Sequence, residues 1–172
     1  MLRKLSMVHQ AEEEEIKSSG LTLDFDEIAQ RGSISKEEVL IAKWYGLYTN
    51  RQPGTFMARI VVPGGVVTAA QARTIAAVSE NYAQGKLSIT TRQAIQLHWL
   101  SLKNLPLMMR DLAEAGLTTF HGCGDVNRNT TACQMADNCA HRKFDVYPYA
   151  RETSRVLMND RELDNLPRKF KI

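Results

Sequence analysis

The residues best suited to chemistry share one face of a predicted strand. Over residues 90–99 successive side chains point to opposite faces, which places Arg92, Gln96 and His98 side by side. The opposite face carries the apolar residues Ile95, Leu97 and Trp99. A cation, an amide and an imidazole on one rigid surface can bind an anionic ligand through charge and hydrogen bonds. We therefore expect the apolar face to enter a core and the polar face to line a binding site.

The distribution of charge also favours an anionic partner. The net charge is +3, but residues 1–50 contribute −3 and residues 51–172 contribute +6. Positive charge is therefore concentrated in the part of the chain that holds the polar strand face. A solvated basic surface would give the same count, so charge alone leaves both interpretations open.

The composition excludes several classes of protein. A hydrophobic content of 44% and a charged content of 24% are typical of a globular chain. The longest uncharged apolar run, residues 60–67, is far shorter than the ~20 residues of a membrane span. No apolar targeting segment follows Met1, so we expect a cytoplasmic protein without membrane association. Three cysteines without an export signal argue against a disulfide framework.

The elements that must position the polar face follow a regular order. Residues 1–50 are expected to form a partly helical N-terminal arm, with a capping box at Ser35 that opens a helix over about 36–45. Residues 51–122 then give strand, helix, strand, strand, helix, strand. This order predicts an α+β fold, the split β-α-β or ferredoxin-like arrangement, with both helices on one sheet face. The last strand of the set is expected at residues 117–121.

Residues 123–172 are less regular and are expected to begin a second, α/β domain. They contain a polar loop over 123–130, a predicted helix over 149–160 and an apparent strand over 165–172. The last segment has no pairing partner in the sequence. We therefore expect this domain to be incomplete, with a missing downstream portion.

Four ordered motifs carry a resemblance to a known family. They are Phe56-Met57-Ala58-Arg59 before Pro63-Gly64-Gly65, Thr90-Thr91-Arg92-Gln93 with Gln96 and His98, Gly124-Asp125-Val126-Asn127-Arg128-Asn129, and Leu166-Pro167-Arg168-Lys169-Phe170-Lys171. In this order and spacing they resemble the N-terminal part of the sirohaem-dependent nitrite and sulfite reductases. The resemblance covers roughly residues 40 to 172.

The resemblance implies a role for each basic residue. Sirohaem is an iron isobacteriochlorin with eight carboxylates, which need paired cations if they are to be buried. The residues that correspond to the family's substrate-anion contacts are Arg59, Arg128, Lys169 and Lys171. Those that correspond to contacts with the macrocycle and its carboxylates are Arg92, Gln93, Gln96, His98, Asn129 and Arg168. The resemblance places no metal ligand in this chain.

The iron–sulfur cluster of the family must take its ligands from elsewhere. A [4Fe-4S] site needs four cysteines, and the sequence has only Cys123, Cys133 and Cys139. We interpret all three as structural or incidental thiols. The resemblance therefore implies that a missing C-terminal half or a complementary subunit provides the cluster, and that ferredoxin or a flavoprotein provides electrons.

Three classes of function remain for testing. The resemblance implies the N-terminal portion of an enzyme that reduces sulfite to sulfide or nitrite to ammonia by six electrons. By the same resemblance, Lys171 favours sulfite over nitrite as the substrate, but one residue leaves the choice of anion open. The alternative is a non-catalytic module that binds a tetrapyrrole or a partner chain, left by a truncated or split gene. A nucleic-acid binder is disfavoured because the free sheet face offers no paired stacking aromatics.

Overall fold

The structure is a computed structural model that describes residues 13–17, 20, 22–167 and 170–172. Residues 13–17 are helical. The helices that follow are α1 (Phe25–Arg31), α2 (Lys36–Ala42), α3 (Ala69–Tyr82), α4 (Leu105–Glu114) and α5 (Tyr147–Met158). Short 3-10 segments lie at Pro63–Gly65, Leu102–Asn104 and Arg161–Asn165. The strands are β1 (Leu47–Thr49), β2 (Thr55–Ile60), β3 (Leu87–Ile89) and β4 (Ile95–Ser101). No helix in the described part of the chain is long and apolar enough to cross a membrane.

The strands form one antiparallel sheet in the order β1-β2-β4-β3. Helices α3 and α4 pack against each other and share one apolar core with the sheet. Ile75 of α3 and Leu112 of α4 meet Ile60 and Leu97 there, and all four are at most 3% exposed. The predicted α+β fold with a ferredoxin-like sheet is confirmed. Removal of these apolar side chains from water is the main stabilising term for such a layer.

A β-bulge changes which residues of β4 face the core. Ala58 of β2 lies opposite Leu97 and Phe56 lies opposite Leu100, so two residues of β4 fall between these pairs. Trp99, one of these two, has a φ of 59°, and the side chains beyond it change face. The expectation that Trp99 enters the core was therefore wrong. Leu100 takes that place and is fully buried.

Strand β4 also starts later than the sequence suggests. Residues 90–93 form a tight turn that joins β3 to β4, and the strand begins at Ile95. The Thr90 hydroxyl accepts hydrogen bonds from the main-chain N–H groups of Arg92 and Ala94, at 3.3 and 3.2 Å. A threonine side chain that satisfies two main-chain donors stabilises a turn at the expense of a continued strand.

The last strand of the predicted set is reduced to one bridge between Val61 and Thr118. Strand β1 takes most of that edge of β2, in a part of the chain that the sequence assigned to the N-terminal arm. The close approach of the segment before β1 to residues 118–119 depends on Gly46, because a Cβ there would lie 2.0 Å from the Thr119 carbonyl oxygen.

The expectation of a strand over 165–172 was also wrong for the described residues of that segment. Arg161–Asn165 is a 3-10 helix, and residues 166–167 and 170–172 are irregular.

The starts of two helices lie where the capping residues of the sequence place them. The predicted capping box at Ser35 is present and opens α2, and a second capping box at Thr68 opens α3. Helix α2 ends at Ala42, three residues before its predicted end. Helix α5 covers Tyr147–Met158 and so starts two residues earlier than expected.

Candidate anion-binding site

A cavity of about 560 Å³ opens beside the polar side of β2 and β4. Its wall is built from the ends of β2 and β4, the 90–93 turn, the 122–129 loop and the last described residues. The predicted site residues that line it are Arg59, Arg92, Gln96, Arg128, Asn129 and Lys171. Side chains from four separated parts of the sequence are therefore brought to one cavity.

Arg59 is held in place by a neighbour directly across the sheet. It lies opposite Gln96 in the antiparallel register of β2 and β4, where facing side chains are close. With its oxygen towards the guanidinium, the Gln96 amide accepts from Arg59 Nε at 3.1 Å and from Nη2 at 2.6 Å. Arg59 Nη1 also donates to the Gly122 carbonyl oxygen at 3.1 Å. These neutral acceptors fix the orientation of the guanidinium and leave its positive charge uncompensated.

Gly122 allows the loop to lie against β2 at this point. A Cβ at residue 122 would lie 2.3 Å from the main-chain oxygen of Arg59 and 2.9 Å from that of Thr119. Both obstacles are main-chain atoms, which a side-chain rotation cannot move. Gly122 is thus required for the contact that places its own carbonyl oxygen on Arg59.

Arg92 and Asn129 bind each other across the cavity wall. Arg92 Nη2 donates to the main-chain oxygens of Asn129, at 2.7 Å, and of Ile172, at 3.0 Å. The Asn129 side chain donates in return to the Arg92 carbonyl oxygen at 2.7 Å. Its oxygen accepts from the Val62 N–H at 2.8 Å. The 90–93 turn and the 122–129 loop are joined through this pair.

Arg128 forms a third part of the wall. Its Nε and Nη2 both donate to the Gly124 carbonyl oxygen, at 3.2 and 3.1 Å. The same side chain lines a second cavity of about 220 Å³, next to Lys43 and Trp44. Among the described residues Arg128 Nη1 makes no hydrogen bond, so it remains able to donate to a ligand.

The electrostatics of the cavity are those of an anion site. Three guanidiniums and the Lys171 ammonium line it, and its described lining includes no Asp or Glu. Burial, and then the nearby positive charges of Arg128 and Arg59, lower the pKa of Arg92. Burial disfavours the charged form of Arg92 and the two neighbouring positive charges add to that effect, so a bound anion would stabilise the charged guanidinium. We infer that the site favours a ligand with several negative charges.

The buried thiol behind the arginines is not prepared for catalysis. Burial raises the pKa of Cys123 to about 11, against the opposing influence of Arg59 and Arg128. A thiol with that pKa is protonated and inert at neutral pH. Cys133 and Cys139 are exposed, and none of the three forms a disulfide. The described residues contain no group of three His, Cys, Asp or Glu side chains that could hold a metal ion.

Two predicted site residues in the described part of the chain, Gln93 and His98, are not among those that line the cavity. Both groups of the Gln93 side-chain amide bind the main chain of Ala132, at 2.8 and 2.9 Å. The His98 ring lies against Trp99, with 5.6 Å between ring centroids. Arg168 and Lys169 lie outside the described residues, so their assignments stay predictions.

Sequence reasoning missed five residues that line the cavity, namely Ile89, Thr90, Thr91, Ala94 and Gly122. Thr90 and Thr91 belong to one of the motifs that carry the resemblance, so their sequence context already points to this site. The sequence places Gly122 at a predicted domain boundary. Only the tertiary contact with β2 gives that glycine its role.

Two segments match known protein families. Residues 48–115 match the nitrite/sulfite reductase ferredoxin-like half domain. Residues 123–172 match the nitrite and sulphite reductase 4Fe-4S domain. Residues 116–122 separate the two matches, which together contain every described residue of the cavity wall except Gly122.

Individual relatives agree with these matches. The chain is 36% identical over 142 residues to the assimilatory ferredoxin-dependent nitrite reductase of Haloferax mediterranei. It is 31% identical over 183 residues to the sulfite reductase [ferredoxin] of Mycobacterium tuberculosis. The solved structure of the Mycobacterium tuberculosis NirA protein superposes with a TM-score of 0.84 at 30% identity over 93% of this chain.

The chain spans only part of the length of these proteins. The matched regions cover 24% of the Haloferax relative, 33% of the mycobacterial sulfite reductase and 34% of the NirA structure. They cover 76%, 92% and 93% of this chain.

Proposed function

Because this chain belongs to the nitrite and sulfite reductase family, we propose that it forms one part of a sirohaem-dependent, six-electron sulfite or nitrite reductase. In this proposal the chain supplies the cationic wall that holds the cofactor and the substrate anion. The observation that carries the proposal is the convergence of Arg59, Arg92, Arg128 and Lys171 on one cavity.

The residues of the cavity suit a carboxylate-rich macrocycle. Guanidiniums bind carboxylates through paired hydrogen bonds, and Lys adds a compact positive charge. Arg92 and Gln96 are the described residues proposed to contact the macrocycle or its carboxylates. Among the described residues Arg92 Nη1 makes no hydrogen bond, so it can donate without breaking an existing contact. When bound, sirohaem supplies the iron centre at which the anion is reduced.

The substrate anion is assigned to the other cations. Arg59, Arg128 and Lys171, together with Lys169, are proposed to bind sulfite or nitrite and to stabilise the charge that develops on its oxygens. Arg59 is held in a defined orientation for this role, because Gln96 and Gly122 fix its guanidinium. Positive charges beside the bound anion would also favour its protonation, and reduction of either anion consumes protons.

The iron–sulfur cluster, the electron donor and the division into domains are further parts of this proposal. A [4Fe-4S] cluster needs ligands from beyond this chain, since its three cysteines cannot complete a four-thiolate site. We assign these ligands to a C-terminal portion or a complementary subunit. Two relatives are named as ferredoxin-dependent or ferredoxin enzymes, which favours ferredoxin over a flavoprotein as donor. Residues 51–122 and 123–172 are proposed as the two domains of this part.

A reconstitution experiment tests the proposal. The chain is co-expressed with the remaining C-terminal portion of the mycobacterial sulfite reductase, and sulfite and nitrite reduction is measured with reduced methyl viologen. We expect a sirohaem absorption spectrum and turnover, both weakened by Arg59→Ala. The control is Arg110→Ala, which removes an exposed arginine paired with Asp26.

Two outcomes would contradict the proposal. Tetrapyrrole binding without reduction of either anion would favour the non-catalytic module. Equal turnover of the wild type and Arg59→Ala would remove Arg59 from the anion site.

A further inference from the structure

We infer that Asn129 is a positioning residue, which holds Arg92 in the cavity wall instead of contacting a ligand through its own side chain. The inference deepens the proposed function and rests on it for its consequence in ligand binding. It departs from the role that the sequence predicts for Asn129, that of a cofactor contact.

Both ends of the Asn129 amide are already used within the protein. The oxygen accepts from the Val62 N–H at 2.8 Å, and the nitrogen donates to the Arg92 carbonyl oxygen at 2.7 Å. The residue is only 3% exposed. Each of these two atoms keeps one further hydrogen-bonding position, but so little of the residue is exposed that a ligand would have to displace one of the existing bonds to bind the amide fully, which would leave a buried main-chain group unsatisfied.

The residue type matches this bridging task. Val62 offers a donor and Arg92 offers an acceptor, so the bridging side chain must both accept and donate. An ionised aspartate could accept from Val62 but could only repel the Arg92 oxygen. An apolar side chain would leave both main-chain groups without partners.

Asn129 also binds the functional end of Arg92. Its main-chain oxygen accepts from Arg92 Nη2 at 2.7 Å, so one residue contacts both the main chain and the guanidinium of the other. A second hydrogen bond, from Nη2 to the main-chain oxygen of Ile172, completes this support at 3.0 Å. Arg92 Nε is buried without an acceptor among the described residues. The guanidinium is thus held in one orientation before any ligand arrives.

Holding a long side chain in advance lowers the entropy lost on binding. Immobilising such a side chain costs an amount equivalent to about 2- to 12-fold in a dissociation constant. Release of Arg92 by removal of the Asn129 amide should therefore weaken the binding of a polycarboxylate by this factor. The charge of the cavity would be unchanged.

A measurement on the ligand-free wild type tests the contact itself. The hydrogens on Asn129 Nδ2 and on Arg92 Nε are followed by solvent exchange in nitrogen-15 NMR spectra. We expect both to exchange at least about tenfold more slowly than the exposed Nε hydrogen of Arg110, because burial and hydrogen bonding restrict access of water. Rapid exchange of the Asn129 amide hydrogens would overturn the inference without any variant.

A pair of variants tests the consequence. Asn129→Ala removes the amide, and Thr130→Val is the matched control, since Thr130 is 4% exposed and its hydroxyl has no hydrogen-bond partner among the described residues. The probe is uroporphyrin, a porphyrin with eight carboxylates, titrated by fluorescence. We expect about 2- to 12-fold weaker binding and a fast-exchanging Arg92 Nε hydrogen in Asn129→Ala, and neither change in Thr130→Val.

The outcomes separate this inference from the proposed function. Equal losses in both variants would show a merely structural role for the loop and overturn the inference. Failure of the wild type to bind uroporphyrin would count against the proposed function, while the exchange measurement would still decide the role of Asn129. If Asn129→Ala does not fold, Asn129→Asp keeps the acceptor for Val62, and an Arg92 signal as protected as in the wild type would overturn the inference.

Discussion

Replacement of Arg128 by glutamine should weaken binding of a polycarboxylate tetrapyrrole more than any change at an arginine outside the cavity. Arg128→Gln keeps most of the side-chain length and removes one of the four positive charges that described residues bring to the cavity wall. The two hydrogen bonds of Arg128 go to a single carbonyl oxygen, that of Gly124. The guanidinium therefore keeps unused donors, which a carboxylate of the tetrapyrrole can take when no substrate anion is bound.

The size of the effect follows from the contacts that would be lost. A hydrogen-bonded pair between charged groups contributes about 1.5–3 kcal/mol, which corresponds to roughly a 10- to 150-fold change in the dissociation constant. Loss of the Arg128 charge also relieves its repulsion of Arg92. That relief makes the Arg92 charge less costly, so we expect the measured loss near the lower end of this range.

The assay is a fluorescence titration of the purified chain with uroporphyrin at about 50 mM and about 200 mM salt. We expect wild-type binding to weaken at the higher salt concentration, and Arg128→Gln to show a smaller salt dependence, because fewer charges are paired. Arg110→Gln is the control, since its side chain is 60% exposed and pairs with Asp26 outside the cavity. Binding by Arg128→Gln within twofold of the wild type, or an equal loss in Arg110→Gln, would refute this reasoning.

Three further predictions concern the scaffold. Gly122→Ala should lower the free energy of unfolding by about 3 kcal/mol, because the new Cβ would collide with the main-chain oxygen of Arg59. Gly116→Ala, which has open space around it, should lower it by only about 1–2 kcal/mol, the cost of a left-handed backbone at alanine. Urea unfolding measures both variants, and equal losses would contradict the close approach of residue 122 to Arg59. Leu100→Ala should lower the free energy of unfolding by about 2–5 kcal/mol in the same assay, and Trp99→Ala clearly less, because Leu100 is fully buried beyond the bulge and Trp99 is not. A larger loss for Trp99→Ala than for Leu100→Ala would place Trp99 in the core. Burial lowers the pKa of His121 below 6.5 despite the nearby Asp164 carboxylate, so its stabilising contribution is present above pH 6.5 and is lost as the pH falls through the lowered pKa. The free energy of unfolding, measured between pH 7 and pH 5, should therefore vary less with pH in His121→Asn than in the wild type. Parallel curves for the two proteins would show that His121 does not titrate in this range.

The parts of the fold that depend on neighbouring residues could be predicted from the sequence. The capping boxes at Ser35 and Thr68 join residues three apart, so local chemistry determines where those helices begin. The bulge at Trp99 could not be predicted in this way. It arises from the pairing of β4 with β2, and strict alternation therefore assigned Trp99 to the wrong face.

The candidate site shows the same division. The motifs and the resemblance that they carry predict that Arg59, Arg92 and Arg128 surround one anionic macrocycle and its substrate anion, and the three side chains do line one cavity. The sequence could not show that the Asn129 amide is used by Val62 and Arg92, because both partners lie far away along the chain. Nor could it show that Gly122 is needed, since the obstacle is a main-chain atom of another element.

The most direct test of the central claim is a crystal structure of this chain with bound uroporphyrin. We expect carboxylates of one macrocycle within hydrogen-bonding distance of Arg92 and, because no substrate anion is present in that crystal, of at least one of Arg59 and Arg128, with the Asn129 amide still bound to Val62 and Arg92. A macrocycle bound on another surface, with the three guanidiniums still solvated in the cavity, would contradict the claim that these cations form a single polyanion site.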